Sequence, residues 1–228
     1  MARILTHVEG ETEETFVREL LAPHLLQFGH EVSPRLMGNA RLRSRRGGIR
    51  GWNGVSMDII NHLKSDPACY ATTMVDYYAL PQSGARAWPG RARASTLPFA
   101  EKAPTIEQAL LADISRRMGS RFNRSRFIPF LIMHEFEGLL FSDCDRFALG
   151  IGKQSLALEF HKVRQAFSSP EEINDSPITA PSKRVVGLVP DYQKPLMGAL
   201  AALEIGLAKM RTECPHFDSW VATLEALQ

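Results

Sequence analysis

The stretch CYATTMVDYYALP, residues 69–81, is the part of the sequence that most strongly indicates the fold. It is rich in β-branched and aromatic residues and is closed by Pro81, which is typical of a buried strand. Two other stretches read in the same way. Residues 3–8 predict a first strand, and FIPFLIM, residues 127–133, is a continuous apolar run of the kind found in parallel sheets. We interpret the three as strands of one sheet.

The segments between these strands carry helical patterns. After Gly10, apolar residues at helical spacing predict a helix that Thr12 caps and Pro23 kinks. Residues 30–37 predict a second strand, whereas residues 55–63 and 105–118 predict helices. Residues 82–104 show no periodicity and predict a long loop. The alternation of strand and helix therefore predicts an α/β fold with crossover helices.

The second half of the chain changes character beyond Asp143, where it becomes mostly helical and ends in predicted helices over residues 194–211 and 217–227. We divide the chain into an α/β core, residues 1–150, and a helical C-terminal extension, residues 151–228, packed on that core. A length of 228 residues with 44% apolar residues suits one compact domain.

The cysteines and the apolar runs indicate the cellular environment of the protein. Cys69, Cys144 and Cys214 lie far apart and form no CxxC pair, so neither a disulfide framework nor a zinc cluster is encoded. This usage predicts a reducing cytoplasm. No apolar run approaches the roughly 20 residues needed to cross a bilayer, so we expect no membrane association.

Acidic residues follow three of the predicted strands. Glu9 follows the first strand, Asp76 ends TTMVD, and Glu135 and Glu137 follow FIPFLIM. In open α/β sheets ligands bind at the carboxyl ends of the strands, and carboxylates gathered there repel unless a cation neutralises them. Oxygen ligands favour Mg²⁺ or Mn²⁺ over zinc. The candidate metal ligands are Glu9, Glu13, Asp76, Glu135 and Glu137.

Each of these residues also has a local interpretation. Glu13 and Glu14 would fall in the first turn of a helix, where negative side chains stabilise the helix dipole. A single glutamate after a strand is often a capping residue. His134 either positions the attacking water or the leaving group, or it is a structural histidine that closes an apolar strand.

Two loops carry arginine but no lysine. Residues 33–57 contain no acid, and the only charges in residues 77–100 are three arginines. Such blocks are either solvated surface or phosphate-binding loops, and arginine suits bidentate phosphate contact. The candidate nucleic-acid contacts, with two later basic residues added, are Arg41, Arg43, Arg45, Arg46, Arg50, Arg86, Arg91, Arg93, Lys183 and Arg184.

Five motifs together resemble a prokaryotic family labelled as a domain of unknown function, DUF4276. They are VEGETEE at 8–14, TMVDYYALP at 73–81, HEFEGLLFSD at 134–143, IND with TAPSKR within 173–184, and CPHFDSWVATL at 214–224. That family is similar to the Toprim superfamily, the metal-dependent catalytic domain of topoisomerases, primases and overcoming-lysogenization-defect nucleases. The resemblance implies a Toprim-like, Rossmann-like, mainly parallel sheet flanked by helices.

The resemblance also implies roles for individual residues. Glu9 matches the glutamate after the first Toprim strand, Glu13 the second glutamate of the motif that begins with EG, and Asp76 the first aspartate of DxD. Tyr78 stands where the second aspartate would be. On a continuing strand Tyr78 would share a face with Asp76. A phenol is a poor ligand at neutral pH, so either Glu135 or Glu137 completes the site, or the site binds one ion.

Two functions follow as hypotheses. The first is a Mg²⁺-dependent nuclease, or another phosphoryl-transfer enzyme acting on nucleic acid, in which Glu13 anchors a second ion or serves as general base. The second is a non-catalytic or conditionally active effector that works beside a partner ATPase, as Toprim-like proteins of phage-defence systems do. A homodimer is a further arrangement that the sequence leaves open. The stripe Leu196, Leu200, Leu203 and Leu207 would either dock such a partner or belong to the core.

Overall fold

The computed structural model describes residues 1–37, 48–174, 176 and 178–228. Its sheet has the strand order β2-β1-β3-β4, and β5 also pairs with β3. The strands are β1 (Arg3–Val8), β2 (Glu31–Leu36), β3 (Cys69–Asp76), β4 (Phe127–Ile128) and β5 (Leu131–Ile132). Every pairing is parallel. The predicted α/β fold with a mainly parallel sheet flanked by helices is therefore confirmed.

Helices connect the strands and form most of the second half of the chain. The first crossover contains α1 (Glu11–Phe16), a π-helical turn (Val17–Leu21) and α2 (Ala22–Leu26), with Pro23 in the first turn of α2. The remaining α-helices are α3 (Trp52–Ser65), α4 (Arg91–Ala94), α5 (Phe99–Met118), α6 (Phe136–Leu140), α7 (Cys144–Gly150), α8 (Ala157–Gln165), α9 (Pro181–Leu188), α10 (Lys194–Ile205), α11 (Leu207–Glu213) and α12 (Pro215–Glu225).

The apolar run 127–133 is not one strand, which corrects the sequence prediction. Pro129 has no N–H to donate, so the ladder is interrupted between β4 and β5. Thr73 fills the gap: its hydroxyl donates to the carbonyl of Phe130 and accepts from the Phe130 N–H, both at 2.9 Å. The break places residues 133–137 at the same edge of the sheet as the end of β3.

Other boundaries also differ from the prediction. Gly10, not Thr12, is the N-cap of α1. The predicted loop 82–104 contains α4 and the start of α5, which holds Pro104 inside its first turns. Gly206, with φ of 79°, separates α10 from α11, so the predicted helix 194–211 is two helices. A left-handed φ is open to glycine without strain, and it ends a helix efficiently.

Apolar side chains bury both faces of the sheet. One cluster joins Ile4 and Val8 of β1 with residues of the C-terminal helices as far as Leu224. The other joins α3 and α5 to the opposite face through Ile59 and Leu110. The C-terminal helices therefore share a hydrophobic core with the first strand of the sheet.

Helix α10 lies against α7 through a glycine. A Cβ built on Gly150 would stand 2.7 Å from the Cα of Ala201, so the two backbones are in direct contact there. A Cβ on Gly198 of α10 would likewise stand 3.2 Å from Thr12 of α1. These contacts set the position of α10 relative to α1 and therefore to the end of β1.

Among the described residues, none of the helices combines the length and the apolar character that crossing a bilayer requires. The three cysteines are buried and free.

Candidate metal centre

The carboxyl ends of β1, β3 and β5 bring the predicted acids together. Val8 pairs with Met74 and Asp76 pairs with Ile132, so Glu9 and the turn after β5 flank Asp76 on its two sides. Glu9, Thr12, Glu13, Gly48, Asp76 and Lys194 line a cavity of about 250 Å³ at this edge. This edge is where ligands bind in open α/β sheets.

Lys194 lies among these acids. Its Nζ is 3.0 Å from Oε2 of Glu137 and 3.5 Å from Oδ2 of Asp76. The Glu137 side chain is completely buried, and that of Asp76 is 8% exposed. Lys194 begins α10 and lies 118 residues beyond Asp76, so the pair exists only because α10 packs on α1 and α6. Sequence reasoning missed Lys194 because nothing in its local sequence indicates a role.

The carboxylates differ in how well the protein satisfies them. Asp76 Oδ1 accepts the N–H of Phe136 at 3.0 Å. Glu137 has an ion pair but no well-aligned hydrogen bond on either oxygen, and Glu9 Oε2 is buried without a hydrogen-bond partner among the described residues. Buried oxygens are rarely left in this condition, so the centre has unused acceptor capacity.

The charges of the cluster are strongly coupled. Burial and the neighbouring Glu13 carboxylate together raise the pKa of Glu9 to about 7, although Lys194 opposes the rise. Burial likewise raises the pKa of Asp76 well above its usual range, and it raises the pKa of Glu137, again against the effect of Lys194. Burial alone would lower the pKa of Lys194, but Asp76 and Glu137 outweigh that effect and raise it.

Glu13 and Glu14 have separate local roles. Glu13 is buried, and its Oε2 accepts the N–H of Gly10 at 3.0 Å, so it caps α1 while it lines the cavity. Glu14 forms an ion pair with Arg18 at 2.6 Å, one turn further along the helix. The local interpretation therefore applies to both residues, and only Glu13 also borders the acidic cavity.

The structure distinguishes the two glutamates that follow β5. Glu135 is the N-cap of α6, and its Oε2 accepts the N–H of Ser182 at 2.8 Å, which ties it to α9. Glu137, the second residue of α6, is the one that contacts Lys194. Glu135 remains close enough to Glu9 to raise its pKa slightly.

His134 and Tyr78 do not line the cavity. His134 is buried between the rings of Tyr77 and Phe99, and its Nδ1 is 2.7 Å from the carbonyl of Ile173. The strand β3 ends at Asp76, so Tyr78 lies in the following turn, where its N–H bonds to the carbonyl of His134 at 3.1 Å. The expectation that Tyr78 continues the strand beside Asp76 is therefore wrong.

The residues present have the donor chemistry that Mg²⁺ or Mn²⁺ requires, namely carboxylate oxygens with spare lone pairs at Glu9 and Glu137. Within the described part of the chain, however, no three His, Cys, Asp or Glu side chains already stand in a metal-binding arrangement. The ammonium of Lys194 occupies the space between Asp76 and Glu137 instead. A metal held there would have to displace that ammonium.

The basic residues predicted to contact nucleic acid differ in their exposure and in whether the structure describes them. Arg41, Arg43, Arg45 and Arg46 lie outside the described residues. The prediction that Arg91 contacts nucleic acid is wrong, because its guanidinium is buried 3.9 Å from the centre of the Tyr77 ring and donates to the Tyr77 carbonyl and hydroxyl. Arg93 and Lys183 are exposed.

Three further basic residues are held by the protein itself. Arg50 pairs with Asp58 at 3.2 Å, and Arg86 donates to the carbonyl of Ile49 at 2.6 Å. Arg184 donates to the carbonyl of Thr179 at 2.8 Å. Each of these arginines therefore has a structural contact that a phosphate would have to share or replace.

The residues that flank the arginine-rich segment 38–47 form backbone hydrogen bonds at the edge of the sheet where the acids lie. Met37 donates its N–H to the carbonyl of Val8 at 2.8 Å, and Gly48 donates to the carbonyl of Glu9 at 2.7 Å. The chain therefore leaves and re-enters the described fold beside the residue that begins the acidic cluster.

The sequence profile of a family described as "Domain of unknown function (DUF4276)" matches residues 8–225. Searches of curated proteins and of solved structures found no match. The match spans nearly the whole chain, including every residue of the acidic centre.

Proposed function

We propose that this chain, which belongs to the DUF4276 family, is a Mg²⁺- or Mn²⁺-dependent nuclease or related phosphoryl-transfer enzyme acting on nucleic acid. One observation carries the proposal: the buried carboxylates of Glu9, Asp76 and Glu137 converge beyond the carboxyl ends of parallel strands, and Oε2 of Glu9 lacks a hydrogen-bond partner among the described residues. A protein that needed only stability would not leave such oxygens unsatisfied. The similarity of the family to Toprim domains is consistent with this chemistry and is part of the proposal.

The ion would be held by Glu9, Asp76 and Glu137, and it would supply a polarised water and neutralisation of the charge that develops in phosphoryl transfer. Asp76 is oriented for this task by the N–H of Phe136. Glu13 is fixed by the N–H of Gly10 at the rim of the cavity, where it can accept a proton from an attacking water. Lys194, once displaced from the carboxylates, remains close enough to pair with a phosphate.

Nucleic-acid binding is supported by where the arginine-rich segment joins the fold. Residues 38–47 include Arg41, Arg43, Arg45 and Arg46, and both flanks of this segment bond to Val8 and Glu9. Arginine contacts to phosphate are independent of base sequence and weaken with salt. Replacement of these arginines by glutamine should weaken binding to all sequences equally and flatten the salt dependence.

The decisive experiment is a cleavage assay with plasmid, linear DNA and structured RNA in the presence of Mg²⁺ or Mn²⁺. We expect cleavage by the wild type, and we expect loss of cleavage in Glu9→Gln. Glu14→Gln is the matched control, because Glu14 is a nearby glutamate that pairs with Arg18 and does not line the cavity. Equal activity of the Glu9→Gln and wild-type proteins would refute the assignment.

A second candidate is a conditionally active effector that requires a partner ATPase. The observation in its favour is that Lys194, which neutralises Asp76 and Glu137, begins the same helix that exposes Leu196, Leu200 and Leu203. A partner docked on these leucines could move α10 and withdraw Lys194. Leu207, the fourth residue of the predicted stripe, is buried and belongs to the core.

The two candidates differ in one measurable respect. If the chain is a conditionally active effector, the isolated wild type should be inactive, whereas Lys194→Met should cleave nucleic acid without any partner. Activity of the isolated wild type would favour the simple nuclease. Inactivity of both proteins in every metal would count against catalysis altogether.

A further inference from the structure

Two histidines, one on β1 and one on α3, differ from the other five in their hydrogen-bond partners. His7 of β1 and His62 of α3 contact each other, with Nε2 of His7 3.4 Å from Nδ1 of His62 and ring centres 5.2 Å apart. Neither has a carboxylate or carbonyl hydrogen-bond partner among the described residues. The other five each have one: His24, His30, His134, His161 and His216.

Arg35 lies beside this pair. It is opposite His7 in the register of β2 and β1, it is exposed, and it makes no hydrogen bond or ion pair with the described residues. Its charge also acts on the histidines: burial and Arg35 together lower the pKa of His62, and the pKa of His7 is lowered to about 3 by burial, His62 and Arg35. Arg35 therefore places a positive charge beside the two rings, and it has no ion-pair partner among the described residues.

Arg35 and His62 line a cavity with a volume of about 450 Å³. Ser33 and Ser65 add hydroxyl groups to its wall. Two acids also line the cavity, but Asp66 is already paired with Arg3. Glu31 lies four residues before Arg35 on β2, which is roughly 13 Å along an extended strand. The end of the cavity that contains Arg35 therefore offers mainly hydrogen-bond donors and positive charge.

We infer that this end of the cavity, formed by Arg35, His62 and Ser33, is a binding site for a phosphate group. Phosphate has only acceptor oxygens, which match the guanidinium fork of Arg35, an imidazole N–H and a hydroxyl. A cation is disfavoured because Arg35 would repel it. This inference stands independently of the proposed nuclease activity, although it would give that activity a second contact with its substrate.

The position of the site relates it to the acidic centre. Arg35 pairs with His7 of β1, and Glu9 follows His7 by two residues, just beyond the end of that strand. The phosphate could therefore come from a nucleic-acid backbone that also reaches Glu9, or from free phosphate or a nucleotide. Both sources present phosphate oxygens to the site, and the experiment below distinguishes between them.

The test is isothermal titration calorimetry of metal-free protein with inorganic phosphate, and separately with a short single-stranded oligonucleotide. We expect Arg35→Gln to weaken phosphate binding at least tenfold and His62→Gln to weaken it by a smaller factor. Arg121→Gln is the matched control, because Arg121 is an exposed arginine that does not line the cavity. Binding of the oligonucleotide with the same dependence on Arg35 would identify the backbone as the source, whereas binding of inorganic phosphate alone would identify a small ligand.

Two outcomes would overturn the inference: no phosphate binding by the wild type at millimolar concentration, or equal binding by Arg35→Gln and wild type. Circular dichroism of each variant verifies that the fold is retained, and His62→Gln provides an independent variant should Arg35→Gln unfold. Asp76→Asn should bind phosphate as the wild type does. Failure of the nuclease proposal and failure of the phosphate site are therefore distinguishable.

Discussion

Two buried glutamates, Glu171 and Glu137, show how the same residue type can be stabilised or left unsatisfied within one chain. Glu171 is 3% exposed, and its two oxygens accept the N–H groups of His216 and Phe217 at the start of α12, at 3.0 and 2.9 Å. Glu137 is completely buried, and its ion-pair partner among the described residues is the ammonium of Lys194. Burial raises the pKa of both carboxyl groups.

The difference lies in what each carboxylate could gain from a ligand. Glu171 has its hydrogen-bonding capacity used by the backbone, so it serves the fold. Glu137 lies beside Asp76 and Glu9, so a cation could be bound there once the ammonium of Lys194 is displaced. A satisfied buried acid thus indicates structure, and an unsatisfied one indicates a site. The following predictions test this contrast.

The largest effect is expected at Glu171. Glu171→Ala leaves the N–H groups of His216 and Phe217 without their acceptor, and it should lower the free energy of unfolding by about 3 kcal/mol. Urea unfolding of the metal-free protein measures this loss. Glu137→Gln is the comparison variant, and it should cost much less because it removes one of several repelling charges. Similar losses in both variants would contradict the contrast.

Metal binding should stabilise the protein only through the acidic centre. At a Mg²⁺ concentration one hundred times the dissociation constant, the free energy of unfolding should rise by about 2.7 kcal/mol. Asp76→Asn should abolish that gain, whereas Glu171→Gln should retain it. Thermal unfolding across millimolar Mg²⁺ and Mn²⁺ is the measurement, and an unchanged melting temperature of the wild type would argue against a metal site.

Lys194 should compete with the metal. Lys194→Met removes the ammonium from Asp76 and Glu137, so we expect Mg²⁺ affinity to increase about tenfold, which corresponds to 1.4 kcal/mol. The matched control is Lys153→Met, since Lys153 pairs with Asp191 at the surface. Calorimetric titration compares the three proteins. Weaker binding in Lys194→Met would mean that the lysine supports the metal rather than opposing it.

The smallest effect concerns pH. Because the pKa of Glu9 is raised to about 7 in the folded protein, the folded state holds more protons than the unfolded state above the ordinary glutamate pKa. Stability of the metal-free protein should therefore fall by about 1 kcal/mol as the pH rises from about 5 to about 6. Glu9→Gln should flatten this slope. A wild type that gains stability over the same range would show that the carboxylates are already compensated.

Local patterns in the sequence predicted the parts of the fold that depend on neighbouring residues. The strands β1 and β3 and the acids that follow them, Glu9 and Asp76, were predicted because apolar runs ending in carboxylates are visible in short segments. Choosing between Glu135 and Glu137 required the fold, because the start of α6 at Phe136 decides which side chain faces α10 and which bonds to α9.

Tertiary packing decided what the sequence could not. Lys194 reaches Asp76 from a distant helix, so no spacing rule could have linked them. The arginines of residues 77–100 share a composition, yet Arg91 is buried against Tyr77 while Arg93 is exposed. Identical residue types in one segment thus have different roles, since burial depends on residues that lie elsewhere in the chain.

The close contact between Gly150 and Ala201 helps to fix the position of the Lys194 ammonium, although neither residue is charged. Lys194 lies seven residues before Ala201 on α10, roughly 10 Å along the helix axis. A single added methyl group in Gly150→Ala would press against the Ala201 backbone and displace α10, and the ammonium would move with it. The volume of the side chain at position 150 therefore affects where the positive charge of Lys194 lies in the acidic centre, although Gly150 does not contact that centre.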